Sequence, residues 1–190
     1  MSVAFAQDPI VTEYQGDGIR NTRPFTVDAG WEIQWTAQGD VFQLYLHDAS
    51  GELVGVAANQ SGPGSGASYQ AAAGRYYLQV NAIGTWTIRI VDLEDDAATG
   101  PATSDAPIEY TGSGAANTRP FETAGAWELQ WSAGGDLFQV YLYTEDGDLV
   151  DVAANQSGPG PGASYQPRGG RYYLQVNALG PWTIRVVPLP

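Results

Sequence analysis

An all-β chain of two tandem antiparallel β-sandwich domains, of jelly-roll or Greek-key type, is predicted by three observations. The chain contains an internal repeat at an offset of 96 residues, its apolar residues recur with a period of two, and glycine and proline interrupt it at short intervals.

The repeat comes first because it sets the domain count. Residues 13–93 align with 109–189 without a gap, and 53 of the 81 positions are identical. Asn21-Thr-Arg-Pro-Phe25 returns as Asn117-Thr-Arg-Pro-Phe121, and Trp31-Glu-Ile-Gln-Trp35 as Trp127-Glu-Leu-Gln-Trp131. A unit this long is a whole domain and not one turn of a solenoid. The chain therefore divides into a leader (1–9), repeat 1 (10–93), a linker (94–105) and repeat 2 (106–190). The linker, polar and without periodicity, predicts two separate beads on a string.

Alternation places the strands. Trp31, Ile33 and Trp35 alternate with Glu32 and Gln34, and Phe42, Leu44 and Leu46 alternate with Gln43, Tyr45 and His47. Tyr76, Leu78, Val80 and Ala82 alternate with Tyr77, Gln79 and Asn81, and Trp86, Ile88 and Ile90 with Thr87 and Arg89. One side of each strand faces a core and the other faces water. The expected core is Trp31, Trp35, Phe42 and Trp86 with their equivalents Trp127, Trp131, Phe138 and Trp182.

Turn signals separate these runs: Gln38-Gly-Asp40, Ala49-Ser-Gly51, Ser61-Gly-Pro-Gly64, Ala73-Gly74 and Ile83-Gly84. Asn59–Gly64, running on to Gly66–Gln70, reads as a long glycine-rich loop. With 24 Gly and 12 Pro in 190 residues, seven or eight short strands per copy fit the composition, and no helical stripe competes.

Charge and composition then exclude function classes. A net charge of −13 argues against nucleic acid and against anionic membrane surfaces. No apolar stretch is long enough for a membrane span. There is no cysteine, so disulfides, thiolate nucleophiles and Cys-ligated metals are absent. His47 is the only histidine and its counterpart is Tyr143, which removes a nucleophile–His relay and a histidine zinc site. The shared acids Glu13/Glu109, Glu32/Glu128 and Asp40/Asp136 lie on separate strands and turns, with no sign of a facing pair. The expectation is a protein that is not an enzyme.

Two sets of residues point to binding. Asp48, Ser50 and Glu52, and in repeat 2 Glu145, Asp146 and Asp148, offer oxygen ligands for calcium or else form a hairpin turn. Asp146 and Asp148 are the calcium candidates of the more acidic copy, and no other cofactor is expected.

The second set is the outward-facing one: Glu32, Gln34, Gln43, Tyr45, Tyr77, Gln79, Asn81, Thr87 and Arg89. Repeat 2 keeps all of it as Glu128, Gln130, Gln139, Tyr141, Tyr173, Gln175, Asn177, Thr183 and Arg185. Tyrosine rings offer apolar faces to a sugar, and long amides offer donors and acceptors to its hydroxyls. The set reads as a face for a glycan or cell-surface polymer. It also reads as cross-strand ladders that fix register, or as a face packed on the other domain. Self-association and a structural role in an envelope or filament form the alternative.

Asp40-Val-Phe-Gln-Leu-Tyr-Leu46, Gly51-Glu-Leu-Val54, Gly74-Arg-Tyr-Tyr-Leu-Gln-Val80 and Trp86-Thr-Ile-Arg-Ile90 resemble exported bacterial β-sandwich modules of the pre-peptidase C-terminal type. The resemblance covers most of each copy; the Trp31–Trp35 strand and the Asn21–Phe25 segment depart from it. It implies an extracellular accessory module without catalysis, and no particular site residues. Ala4-Phe5-Ala6 before Gln7 has the small-x-small form of a signal-peptidase site, although the charged and apolar regions that precede such a site are missing. A secreted or cell-surface protein is expected.

Overall fold

The computed structural model describes residues 9–93 and 106–189. The predicted linker and all but the last residue of the leader lie outside them. Repeat 1 contains β1 (Ile10–Asp17), β2 (Arg20–Asn21), β3 (Phe25–Val27), β4 (Trp31–Ala37), β5 (Val41–Asp48), β6 (Leu53–Ser61), β7 (Gly64–Gln70), β8 (Gly74–Ile83) and β9 (Thr85–Asp92). Repeat 2 contains β10 (Ile108–Ser113), β11 (Ala116–Asn117), β12 (Phe121–Thr123), β13 (Trp127–Ala133) and β14 (Leu137–Thr144). It continues with β15 (Leu149–Ser157), β16 (Gly160–Gln166), β17 (Gly170–Leu179) and β18 (Pro181–Pro188).

Each repeat is a β-sandwich. In repeat 1 one sheet has the order β1-β9-β4-β7 and the other β2-β8-β5-β6, with β3 also paired to β8. In repeat 2 the orders are β10-β18-β13-β16 and β11-β17-β14-β15, with β12 on β17. β2 and β3 lie along the same partner and are one strand interrupted at Thr22-Arg-Pro24, where proline cannot join a ladder. The Thr22 hydroxyl fills the gap by accepting from the Leu78 amide at 2.9 Å. Counting β2 and β3 together gives eight strands, with 1-8-3-6 facing 2-7-4-5. That order is a jelly roll.

The alternation expected for β4, β5, β8 and β9 is present. Trp31, Ile33, Phe42, Leu44, Leu78, Ile88 and Ile90 are all fully buried between the two sheets. Trp35 and Trp86 join them, and the same cluster forms in repeat 2. Trp131 differs from expectation, because it is only partly buried.

Four of the core tryptophans sit directly across a strand pair from a glycine: Trp35 from Gly66, Trp86 from Gly16, Trp131 from Gly162 and Trp182 from Gly112. The indole lies over the bare backbone, and a Cβ built on Gly66 would stand 2.6 Å from the Trp35 ring. Gly39 serves a close approach of another kind. It meets the chain where β8 turns into β9, and a Cβ there would overlap the Ile83 carbonyl.

One sequence expectation is corrected. Asn59–Ser61 and Gly66–Gln70, read as loop, belong to strands β6 and β7, and β7 pairs along the whole of β4. Small side chains hid the strand. Gly66 is one of them because the Trp35 ring needs the space above it.

The two repeats also touch, which a pair of separate beads would not do. β11, at the edge of its sheet, lies along the β7 edge and the end of β6.

Candidate functional site

The outward-facing residues do not share one face. Gln34 on β4 and Arg89 on β9 lie on the outside of the first sheet, whereas Gln43, Tyr45, Tyr77, Gln79 and Asn81 lie on the outside of the opposite sheet. Repeat 2 divides identically, with Gln130 and Arg185 on one side and Gln139, Tyr141, Tyr173, Gln175 and Asn177 on the other. The single face expected from sequence is two faces separated by the core. Alternation tells inside from outside, but it does not tell which sheet a strand joins.

On the first sheet the polar residues satisfy one another. Arg89 pairs with Glu13 across β9 and β1 at 2.7 Å, and Arg185 with Glu109 at 3.5 Å. Gln34 Nε2 donates to Glu32 Oε2 at 3.0 Å, and Gln130 Nε2 to Glu128 Oε2 at 2.7 Å.

The second sheet carries a continuous amide array. Gln43 is directly opposite Asn59 on β6 and Asn81 on β8. Its Nε2 donates to Asn59 Oδ1 at 3.4 Å, while its Oε1 accepts from Asn81 Nδ2 at 2.8 Å and from the Tyr45 hydroxyl at 3.3 Å. In repeat 2, Gln139 bridges Asn155 and Asn177 at 3.3 Å each. Beside this array His47 stacks on Tyr77 with ring centroids 5.1 Å apart, and Tyr143 stacks on Tyr173 at 5.3 Å. The histidine of repeat 1 is thus a stacking partner, and its Nδ1 lies 3.3 Å from the Gly51 carbonyl.

The acidic turns hold themselves together. Asp48 Oδ1 accepts from the Ser50 hydroxyl and amide at 2.6 and 2.8 Å and from the Glu52 amide at 3.0 Å. The Ser50 hydroxyl, foremost among these, holds the Asp48 carboxyl below its ordinary range. In repeat 2 the Thr144 hydroxyl replaces Asp48 and accepts from the Asp148 amide, while Glu145 pairs with Arg171 at 3.2 Å. Asp146 and Asp148 are exposed. Among the described residues no group of three or more His, Cys, Asp or Glu side chains converges on a point where a metal ion would sit.

The most constrained polar residues lie between the repeats, and sequence reasoning missed them as a site. Glu32, with its side chain 5% exposed, receives Arg119 of repeat 2 at two points: Nε to Oε1 at 3.1 Å and Nη2 to Oε2 at 2.8 Å. Asn117 Nδ2 donates to the Tyr69 carbonyl at 2.9 Å and its amide to the Ser68 hydroxyl at 3.3 Å. Tyr69 meets Tyr173 edge-on, with ring centroids 5.4 Å apart. Burial pushes the Tyr173 hydroxyl up to about 12, with help from Tyr143 and Tyr69. Tyr69 is raised too, first by burial and then by Glu145, against the pull of Arg171.

A cavity of about 270 Å³ remains in this interface, lined mainly by apolar atoms of Trp35, Gly66, Tyr110, Ala115 and Trp182. The signal that could have found the interface is local divergence. Ile19-Arg20 in repeat 1 stands where repeat 2 has Ala115-Ala116, although the flanking Gly18 and Asn21-Thr-Arg-Pro-Phe25 are kept.

No model of a protein family matches the chain, and no curated protein matches it. The pre-peptidase likeness therefore rests on the quoted strands alone. Among solved structures, the PBSX exported protein XepA overlaps at a TM-score of 0.32 and 9% identity, covering 95% of this chain and 85% of its own. YhaK from Escherichia coli overlaps at 0.30 and 10% identity, over 93% of this chain and 83% of its own. A cupin 2 conserved barrel domain protein from Leptotrichia buccalis overlaps at 0.28 and 9% identity, over 93% and 82%. Overlaps this shallow say nothing of activity.

Proposed function

We propose that the chain is a non-catalytic extracellular module that binds a glycan or related hydroxylated polymer weakly through the outer face of the second sheet in each repeat. The observation that carries this reading is the amide–tyrosine array of Gln43, Tyr45 and Asn81, with Gln79 on the same face, built again from Gln139, Tyr141, Asn177 and Gln175. Its amides are held in place before any ligand arrives, so little side-chain entropy is lost on binding. The half-buried Tyr45 ring supplies an apolar patch beside them.

Gln34, Arg89, Gln130 and Arg185 belong to the opposite sheet and are not part of this face. Tyr173 is engaged by Tyr69, so in repeat 2 the binding face is narrower. Export is supported by the Ala4-Phe5-Ala6 sequence and the resemblance described above.

One such face supports a dissociation constant on the order of 10 μM to 1 mM. Two on one chain raise the apparent affinity for a long polymer by roughly 10²-fold. The test is retention on insoluble polysaccharides and titration with soluble ones. Tyr45→Ala with Tyr141→Ala should abolish binding while both repeats stay folded, and Gln34→Ala with Gln130→Ala should leave it unchanged. Binding that survives the tyrosine pair, or absence of binding to any glycan class tried, would overturn the reading.

A further inference from the structure

The interface between the repeats has two halves, and the duplication supplies each half twice. The receiving half belongs to repeat 1: Glu32, Trp35 and Gly66–Tyr69 on β4 and β7. The inserting half belongs to repeat 2: Gly114–Arg119 around β11, with Tyr173. Within one chain only one pairing is made. Repeat 2 keeps its own receiving half as Glu128, Trp131 and Gly162–Tyr165, and repeat 1 keeps its own inserting half as Gly18–Arg23 and Tyr77.

Each unused half exposes a large hydrophobic side chain where its twin is covered. Tyr69 is 4% exposed and Tyr165, its equivalent, is 60% exposed. Ala115 is 5% exposed and Ile19, its equivalent, is 73% exposed. β16 and β2 are also sheet edges, which leave backbone groups unpaired and invite another chain.

We propose that the chain assembles head to tail with further copies of itself, the β13–β16 surface of one copy receiving the β2 turn of the next as β4–β7 receives β11 within one chain. The receiving surface is already arranged for it. Gln130 holds the Glu128 carboxylate as Gln34 holds Glu32, so Arg23 of a second copy meets the same acceptor that Arg119 meets inside the chain. Tyr77 is held by its stack on His47 as Tyr173 is held by Tyr143, and it meets Tyr165 as Tyr173 meets Tyr69.

Two residues differ in the inserting half, Ile19 for Ala115 and Arg20 for Ala116, and the first of them also fits. The joint inside the chain leaves a cavity beside Ala115, and an isoleucine at that position reaches into the corresponding space of the joint between chains. The pairing is heterologous, since different surfaces meet, so the assembly extends instead of closing as a two-fold dimer. The joint between chains lacks the tether that raises the effective concentration inside one chain, so assembly sets in at high concentration. This inference is independent of the glycan reading and shares only Tyr77 with it.

The experiment is sedimentation velocity of the full chain from about 1 μM to about 1 mM. The expected result is a weight-average size that grows with concentration through dimer and beyond it. Glu128→Arg and Arg23→Glu should each return the chain to monomer across the range, and Glu128→Arg with Arg23→Glu together should restore growth. Circular dichroism and the melting transition report that each variant is folded. Should a reversal unfold the chain, Glu128→Gln and Arg23→Gln take its place, each shifting the onset at least tenfold upward in concentration. A wild type that stays monomeric at about 1 mM, a closed dimer, single variants that assemble like wild type, or a double reversal that fails to recover would each overturn the proposal.

Discussion

Glu32 of repeat 1 and Arg119 of repeat 2 form a two-point ion pair, with the Arg119 Nε and Nη2 atoms lying 3.1 and 2.8 Å from the two carboxylate oxygens. The carboxylate side chain is 5% exposed while the guanidinium is 44% exposed, so the two partners are unequal. Removing the arginine strands a buried charge, whereas removing the glutamate leaves an arginine that water can still reach.

Arg119→Ala should therefore destabilise repeat 1 by about 1–3 kcal/mol, and Glu32→Ala by less. A double-mutant cycle in chemical denaturation measures the coupling. A cycle that sums to zero would mean that the repeats do not hold each other in solution.

The glycine–tryptophan pairs make a second expectation. Gly66→Ala places a methyl group 2.6 Å from the Trp35 ring, and that ring also packs on Phe42 at a centroid distance of 5.0 Å. Overpacking of this kind costs about 1–3 kcal/mol. Gly55→Ala, where an added Cβ meets nothing within 4 Å, is the matched control and should change stability little. Thermal melting of the two variants decides it.

These glycines show why the sequence was legible in some strands and not in others. β4, β5, β8 and β9 declare themselves through large apolar residues at every second position. β7 has Gly66, Ala67 and Ser68 instead; Gly66 makes room for Trp35 across the pair, and residues this small show no apolar period. The outward residues were legible as outward. Their division between two sheets was not, since it depends on which strands pair, and β9 pairs with β1 and β4 while β8 pairs with β2, β3 and β5. The interface was least legible. Asn21-Thr-Arg-Pro-Phe25 and Asn117-Thr-Arg-Pro-Phe121 are identical, yet it is Arg119 that reaches Glu32 of the other repeat, and nothing within the shared motif marks that copy.

Alkaline pH supplies a third test. Tyr173 ionises at about 12 in the folded chain, chiefly through burial, against an ordinary value of 10. A raised value means that the folded state favours the neutral phenol. Its contribution to stability is complete below about pH 10, where the unfolded tyrosine is also neutral, and is lost as pH rises towards 12. Tyr173→Phe should flatten part of the fall in stability between these pH values. It should also remove a late-ionising share of the tyrosinate absorbance, leaving that of Tyr110, which burial raises further still. An unchanged alkaline limb would place Tyr173 in water and its contact with Tyr69 out of the solution structure.

Trp35 and Trp131 occupy equivalent positions with unequal surroundings, which gives the last expectation. Trp35 is 4% exposed and packs on Phe42 at a centroid distance of 5.0 Å, with repeat 2 residues Tyr110 to Arg119 across the cavity at its edge. Trp131 has no such cover. It stays partly exposed, packs on Phe138 at 6.0 Å, and donates Nε1–H to Gln156 Oε1 at 2.9 Å. Truncating a fully buried indole costs about 3–5 kcal/mol, which approaches the whole stability of a domain. Trp35→Ala should fall in that range and Trp131→Ala clearly below it, because part of the Trp131 surface is already in water. In fluorescence, a neutral quencher should reach Trp131 before any other tryptophan of the monomer, and Trp131→Phe should remove most of the quenchable signal. Equal destabilisation by the two alanine variants would show that repeat 2 adds nothing to the burial of Trp35. Quenching that survives Trp131→Phe would show that the receiving surface of repeat 2 is covered in the monomer.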